Sequence, residues 1–194
     1  MELWYYIQIL GQKKQGWLFK KENVEERLLA LTKILELDYP SLIQNLIPFL
    51  KDDNKEIQQA TCRVVTQLFK KNETKKGYYD TLKYCDISKS DIDVFSKIFS
   101  NEDCITLYSI ATLNSNGYVR EKAIKKLAES KSEKAIPFIV YRLADWVQAV
   151  RQTALKSIDN FKKVEFINAL VDNLTLFEWL QKVERTDLSS VFLT

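Results

Sequence analysis

Residues 119–127 read VREKAIKKL, and residues 150–158 read VRQTALKSI. The two lines superpose directly, with Val119 on Val150, Arg120 on Arg151 and Ala123 on Ala154. Aliphatic residues stand at the fifth and eighth places after each valine. Two such steps back from Val119, residues 57–65 read IQQATCRVV, with Ile57 as anchor, Thr61 at the small position and Val65 at the eighth. A looser copy, VEERLLALT, starts at Val24, with Leu28 at the small position and Thr32 at the eighth. Offsets of 0, 4, 5 and 8 fall on one face of an α-helix. A small residue in the middle of that face lets a second helix approach closely. The chain is therefore read as an array of helices that recur at the step from Val119 to Val150.

The segments ahead of these helices repeat as well. PSLIQNLIPFLKDD begins at Pro40 and AIPFIVYRLAD at Ala135. Leu50 and Leu143 lie seven residues before their anchors, and Asp52 and Asp145 lie five before. Each unit is thus an apolar-periodic helix, a short polar turn and a second helix. One such hairpin cannot bury both faces alone and must stack on its neighbours. The periodicity predicts helices at 2–10, 24–37, 40–51, 54–71, 78–85, 91–99, 102–113, 117–130, 133–144, 147–160, 164–173 and 175–185. Asn23, with Glu26 three residues on, reads as a capping-box variant at a helix start. KKNETKKG, from Lys70 to Gly77, reads as a loop.

Composition agrees. Only 4 glycines and 3 prolines occur in 194 residues, too few for the many tight turns of a β or α/β fold of this size. The apolar share of 46% is ample for a core. The three cysteines, Cys62, Cys85 and Cys104, contain no CxxC pair and are odd in number, which suits a reducing compartment. Residues 1–10 are apolar but lack a basic leader and a cleavage site, so they read as an N-terminal cap segment and not as a signal peptide. Nothing is long enough to span a bilayer. The expectation is a soluble, cytoplasmic protein with no membrane partner.

The line AIPFIVYRLADWVQAVRQTALKSI resembles the HEAT-repeat consensus, with Pro137 in the first helix, Asp145 in the turn, then Val150, Arg151 and Ala154 in the second helix. The unit at Val119 keeps Arg120 and Ala123 with Asn114 in the Asp place. The unit at Ile57 keeps Asp52 with Gln58 in the Arg place. The resemblance runs over about residues 23–172 and is degenerate around 79–100. A step of about 31 residues is shorter than the usual HEAT length and is similar to the compact bacterial variety. Tetratricopeptide repeats fit less well. The resemblance implies an all-α fold, a right-handed α-α superhelix (a HEAT-like solenoid) of about five to six helical hairpins. It would divide the chain into a cap at 1–22, first repeats at 23–77, degenerate repeats at 78–115 and the best-matching repeats with the C-terminal segment at 116–194. It also implies that the arginines one place after the anchor, Arg120 and Arg151, bond turn carboxylates of adjacent units. Asp52, Asp145, Arg120, Arg151, Ala123 and Ala154 are accordingly assigned to structure.

The sequence offers little chemistry. With no histidine there is no Ser-His or Cys-His arrangement, and the His-Glu pairs of iron-binding HEAT-type hydroxylases are missing. Gly11 and Gly16 do not stand in a phosphate-loop frame. Acidic pairs such as Asp52–Asp53, Asp91–Asp93 and Glu102–Asp103 sit where helix starts and turns want them. Cys62 reads as buried and inert, and Cys85 and Cys104 lack a basic neighbour that would make a thiolate. No catalytic residue, cofactor or metal ligand is expected. Two alternatives come from family likeness alone. HEAT-like alkylpurine DNA glycosylases use an Asp with aromatic residues, which Asp145, Trp146 and Trp179 could supply; lyase-type HEAT subunits acting on chromophore-bearing proteins share similar repeats.

Charge points to a partner surface. The whole chain carries +3, but residues 116–163 carry +6 between stretches of −3 at 79–115 and −3 at 164–194. In HEAT-type solenoids second helices line the concave face. Arg63, Lys125 and Lys156, six places after their anchors, would then form a basic ladder extended by Lys122 and Lys126. The leading expectation is a non-enzymatic scaffold that docks a protein partner, acidic in character, or other parts of a longer chain. Nucleic-acid binding is the alternative, and it requires a continuous basic strip. The apolar C-terminal segment (Leu174, Leu176, Phe177, Trp179, Leu180 and Val183, then Leu188, Val191, Phe192 and Leu193) reads as part of a longer solenoid or as a docking end.

Overall fold

A computed structural model describes residues 2–12, 20–72 and 78–183. Among these, every regular element is a helix. The chain forms two compact units, Met1–Asp86 and Ile87–Thr194.

The first unit holds α1 (Glu2–Gly11), α2 (Lys20–Leu37), α3 (Ile43–Leu46), α4 (Lys55–Asn72) and α5 (Tyr78–Leu82). α3 is flanked by 3-10 turns at Pro40–Leu42 and Ile47–Lys51. α2 packs between α1 and α4, and α4 closes back on the α3 segment. On α4 the repeat face is fully interior: Ile57, Thr61, Cys62 and Val65 are buried. The second unit holds α6 (Lys89–Ile98), α7 (Asn101–Thr112), α8 (Gly117–Ser130), α9 (Ile136–Tyr141), α10 (Gln148–Ile158), α11 (Ile167–Asp172) and α12 (Leu174–Gln181). Here α7 and α8 form one hairpin and α9 and α10 the next, with α10 laid against α8. Ala123 and Ala154 are both at 0% exposure, the close contact that a small residue permits.

The repeat step is visible in the backbone itself. A 3-10 turn at Glu133–Ala135 leads into α9, and one step on, a turn at Val164–Phe166 leads into α11 of the same length. α6 starts at a capping box: the Ser88 hydroxyl accepts from Asp91 N–H at 3.2 Å and Ser88 N–H donates to the Asp91 carboxylate at 2.8 Å.

Three expectations are corrected. The first repeat is not anchored at Val24: Leu28 is only half-buried and Thr32 is exposed, whereas Ala30, Leu31 and Ile34 are buried. The true frame starts two places later, at Glu26, one full step before Ile57. The anchor there is polar and exposed, and the nearest aliphatic residue ahead of it is Val24. Asn23 does not cap a helix, because α2 begins at Lys20. Lys70 to Asn72 are helical, not loop. Asn72 is buried and its amide donates to Leu68 C=O at 2.8 Å, which holds the last turn of α4; the rest of that loop, 73–77, lies outside the described residues.

Candidate functional site

The turns come first, because they fix where the second helices point. Asp52, Asn114 and Asp145 occupy one repeat position, and in each the side-chain oxygen accepts the backbone N–H two residues on: Asn54 at 2.9 Å, Asn116 at 2.8 Å and Val147 at 2.9 Å. This is the Asx turn, which asparagine serves as well as aspartate. The arginine one place after the anchor then reaches back to the turn. Arg120 donates to Asn114 C=O at 2.9 Å, and Arg151 donates to Asp145 C=O at 2.6 Å. Arg120 also forms a two-pronged pair with Asp145 of the next hairpin, at 2.8 and 2.7 Å. Arg27 does the same to Asp52, at 3.3 and 2.5 Å. Both pairs span 25 residues, and all four side chains are buried.

Asp145 is the most heavily engaged of these groups. A third cation, Arg142, donates to it at 3.2 Å. Burial alone would discourage its ionisation, but the Arg120 hydrogen bonds, the Val147 N–H and the charges of Arg120 and Arg142 outweigh that, so its carboxyl is held below the usual range. Trp146 lies over the Arg120 guanidinium, 5.6 Å from its ring centroid. Trp179, by contrast, stacks on Tyr141 at 5.4 Å.

Of the proposed ladder, Arg63 is exposed on α4 in the first unit, and the four lysines belong to α8 and α10 in the second. Lys125 and Lys156 line one groove of about 570 Å³ between these two helices, along with Lys131, Lys163, Glu121 and Glu129. Lys122 and Lys126 do not extend it. Lys122 turns to Asp93 on α6, holding that carboxyl below its usual range, and Lys126 pairs with Glu129 at 2.7 Å. Lys125 pairs with Glu121 at 2.6 Å. Lys131, Lys156 and Lys163 have no carboxylate partner among the described residues. Gln152, Thr153 and Asn160 share the groove wall and make no hydrogen bond through their side chains within the described residues.

Sequence reasoning missed Lys131 and Lys163, which lie beyond the repeated offsets at the helix ends, and it missed Arg142 and Arg27. The signal for Arg27 was present: an Arg-to-Asp spacing shared with Arg120 and Asp145. The cysteines are all buried. Burial pushes the Cys85 thiol up to about 12 and raises that of Cys104, the reverse of an activated thiolate. No group of three or more metal-ligating side chains occurs among the described residues, and no helix among them is long and apolar enough to cross a membrane.

No curated protein matches the chain. The family model for HEAT repeats matches residues 106–176, a span that runs from α7 to α12 and contains the Arg120–Asp145 pair and the groove. HEAT repeats generally mediate protein–protein interaction or scaffolding. The regular repeat step, the Asx turns and the buried Arg120–Asp145 rung agree with that match: the stretch 106–176 is built of HEAT repeats.

Proposed function

We propose that the protein is a non-enzymatic interaction module that docks an acidic segment of a partner protein in the groove between α8 and α10. The observation that carries this is the set of three lysines, Lys131, Lys156 and Lys163, left without carboxylates beside a wall of unengaged polar side chains. Within a folded domain such a cluster repels itself, and an incoming carboxylate relieves that repulsion. The alternation of Glu121 and Glu129 with these lysines favours protein over nucleic acid. A phosphate backbone needs positive charge at regular intervals, which Glu121 and Glu129 interrupt, whereas a short acidic segment needs only the local set of Lys131, Lys156 and Lys163. A glycosylase role for Asp145 is disfavoured because both of its oxygens are already occupied by Arg120, Arg142 and Val147. Three buried cysteines, all thiols, support a cytoplasmic setting.

The test is cross-linking of the full chain in lysate of its source organism, followed by identification of the linked lysines. Links should concentrate on Lys131, Lys156 and Lys163. The double variant Lys156→Glu, Lys163→Glu should lower capture of the same partner by tenfold or more with the thermal midpoint unchanged. Equal capture by wild type and variant would end the proposal.

A further inference from the structure

Beside the basic groove lies a second face of different character. Ile158, Ile167, Leu170, Val171, Leu174 and Phe177 line an apolar trough of about 450 Å³, formed by α10, α11 and α12. The repeat register tells what this face is. Counted back one repeat step, Ile167, Val171 and Leu174 correspond to Ile136, Val140 and Leu143. Those three are at 0, 0 and 4% exposure, whereas their counterparts stand at 49, 53 and 51%. The inner positions do not differ in this way: Phe166 and Ala169 are buried as Ala135 and Phe138 are. So α11 repeats the packing of α9 on one side, and on the other it lacks the same cover among the described residues.

In the preceding hairpin α10 is laid across both α8 and α9, and α12 also packs on α9. The equivalent helix one step on would lie across α10 and α11. α12 does not take that place. It starts at Leu174, five residues ahead of the register set by Gln148, and it packs on α9 and α11, with Trp179 stacked on Tyr141. Nor does the sequence carry the pattern forward. Where α10 has Val150, Ala154 and Ile158, the register reaches Gln181, Arg185 and Ser189, all polar.

We infer that the α10–α11–α12 trough docks an amphipathic helix supplied by a partner protein, one with aliphatic residues along one face and a small residue between them. The interface continues the α8–α10 packing by one step, so the occupant must resemble α10: its small residue admits close approach over Ile158, and its aliphatic residues cover Ile167, Val171 and Leu174. This site is separate from the basic groove, although Lys163 borders both.

The probe is a labelled synthetic peptide with the sequence of residues 147–161, VQAVRQTALKSIDNF, titrated with the full chain and followed by fluorescence anisotropy and circular dichroism. Saturable binding with a gain in helicity is expected. Val171→Glu, and separately Ile167→Glu, should weaken it at least tenfold; both sites are half-exposed, and each variant's thermal midpoint shows that it is folded. Lys156→Glu should leave binding unchanged, which separates this outcome from failure of the basic-groove proposal. A peptide with serine in place of Val150, Ala154 and Ile158 should not bind. Three results overturn the inference: no binding to the wild-type chain, which means that the chain covers its own trough; binding that survives Val171→Glu and Ile167→Glu; or a wild-type dimer by light scattering that Val171→Glu dissolves, which assigns the trough to a second copy.

Discussion

At the scale of single residues, Asp145 holds two hairpins together. Its carboxylate side chain is fully buried and meets Arg120 at 2.7 Å from the hairpin before. A buried pair of this kind contributes little against a well-packed apolar replacement, but removing one partner strands the other charge. Asp145→Asn keeps the Asx turn and removes the charge. It should lower the unfolding free energy by about 3–5 kcal/mol, read from urea denaturation at neutral pH. The sign of the pH dependence follows from the lowered carboxyl. A folded-state value below the unfolded one gives stability that is full above about pH 4 and is lost as pH falls through the folded value. Going from pH 7 to pH 3 should therefore lower the urea midpoint of the wild type more than that of Asp145→Asn. Equal drops would mean that Asp145 contributes nothing to acid sensitivity.

At the scale of helices, the seam between α8 and α10 depends on two alanines, Ala123 and Ala154, with no exposed surface. Leucine at 154 adds three carbons where no space exists. Ala154→Leu should cost about 1–3 kcal/mol, by thermal or chemical denaturation; a neutral outcome would show that the two helices can separate without loss. The same seam explains the register of the first repeat. An aliphatic anchor is absent there, since Glu26 stands exposed, but the small residue and the arginine are kept and buried, as Ala30 and Arg27. Contact between neighbouring hairpins, and not amphipathicity of one helix, sets the frame. Thr61 marks the cost of departing from it, since its hydroxyl is buried without a hydrogen-bond partner.

At the scale of the molecule, a net charge of +3 leaves the choice of partner open, and the distribution of ion pairs narrows it. The basic block at 116–163 is largely engaged by internal carboxylates: Lys122 by Asp93, Lys125 by Glu121, Lys126 by Glu129, Lys134 by Glu102 and Lys162 by Asp159. Such exposed pairs add little stability, yet they lower the surface potential. The full chain should show no measurable binding to a duplex oligonucleotide of about 20 base pairs at physiological salt, by fluorescence anisotropy. Binding that falls steeply with salt and disappears in Lys156→Glu, Lys163→Glu would reassign the groove to nucleic acid.

Sequence alone determined the helical class, the repeat step and the buried small positions Thr61, Ala123 and Ala154, because each is a periodic demand of helix-on-helix packing; the small position of the first repeat, Ala30, needed the structure. It marked Asp52, Asp145, Arg120 and Arg151 as structural through family likeness, and it placed Lys125 and Lys156 on one face by offset counting. Tertiary structure decided the rest. Which lysines are left without a carboxylate partner depends on where the acidic side chains come to lie, as Asp93 on α6 shows for Lys122. Which arginine completes a rung depends on whether the next hairpin offers an aspartate 25 residues on; Arg120 finds Asp145, while the same count from Arg151 reaches Leu176. The apolar trough lies where α12 leaves the repeat frame; polar Gln181, Arg185 and Ser189 mark the break in sequence, but which helix α12 packs on instead is decided by the tertiary structure.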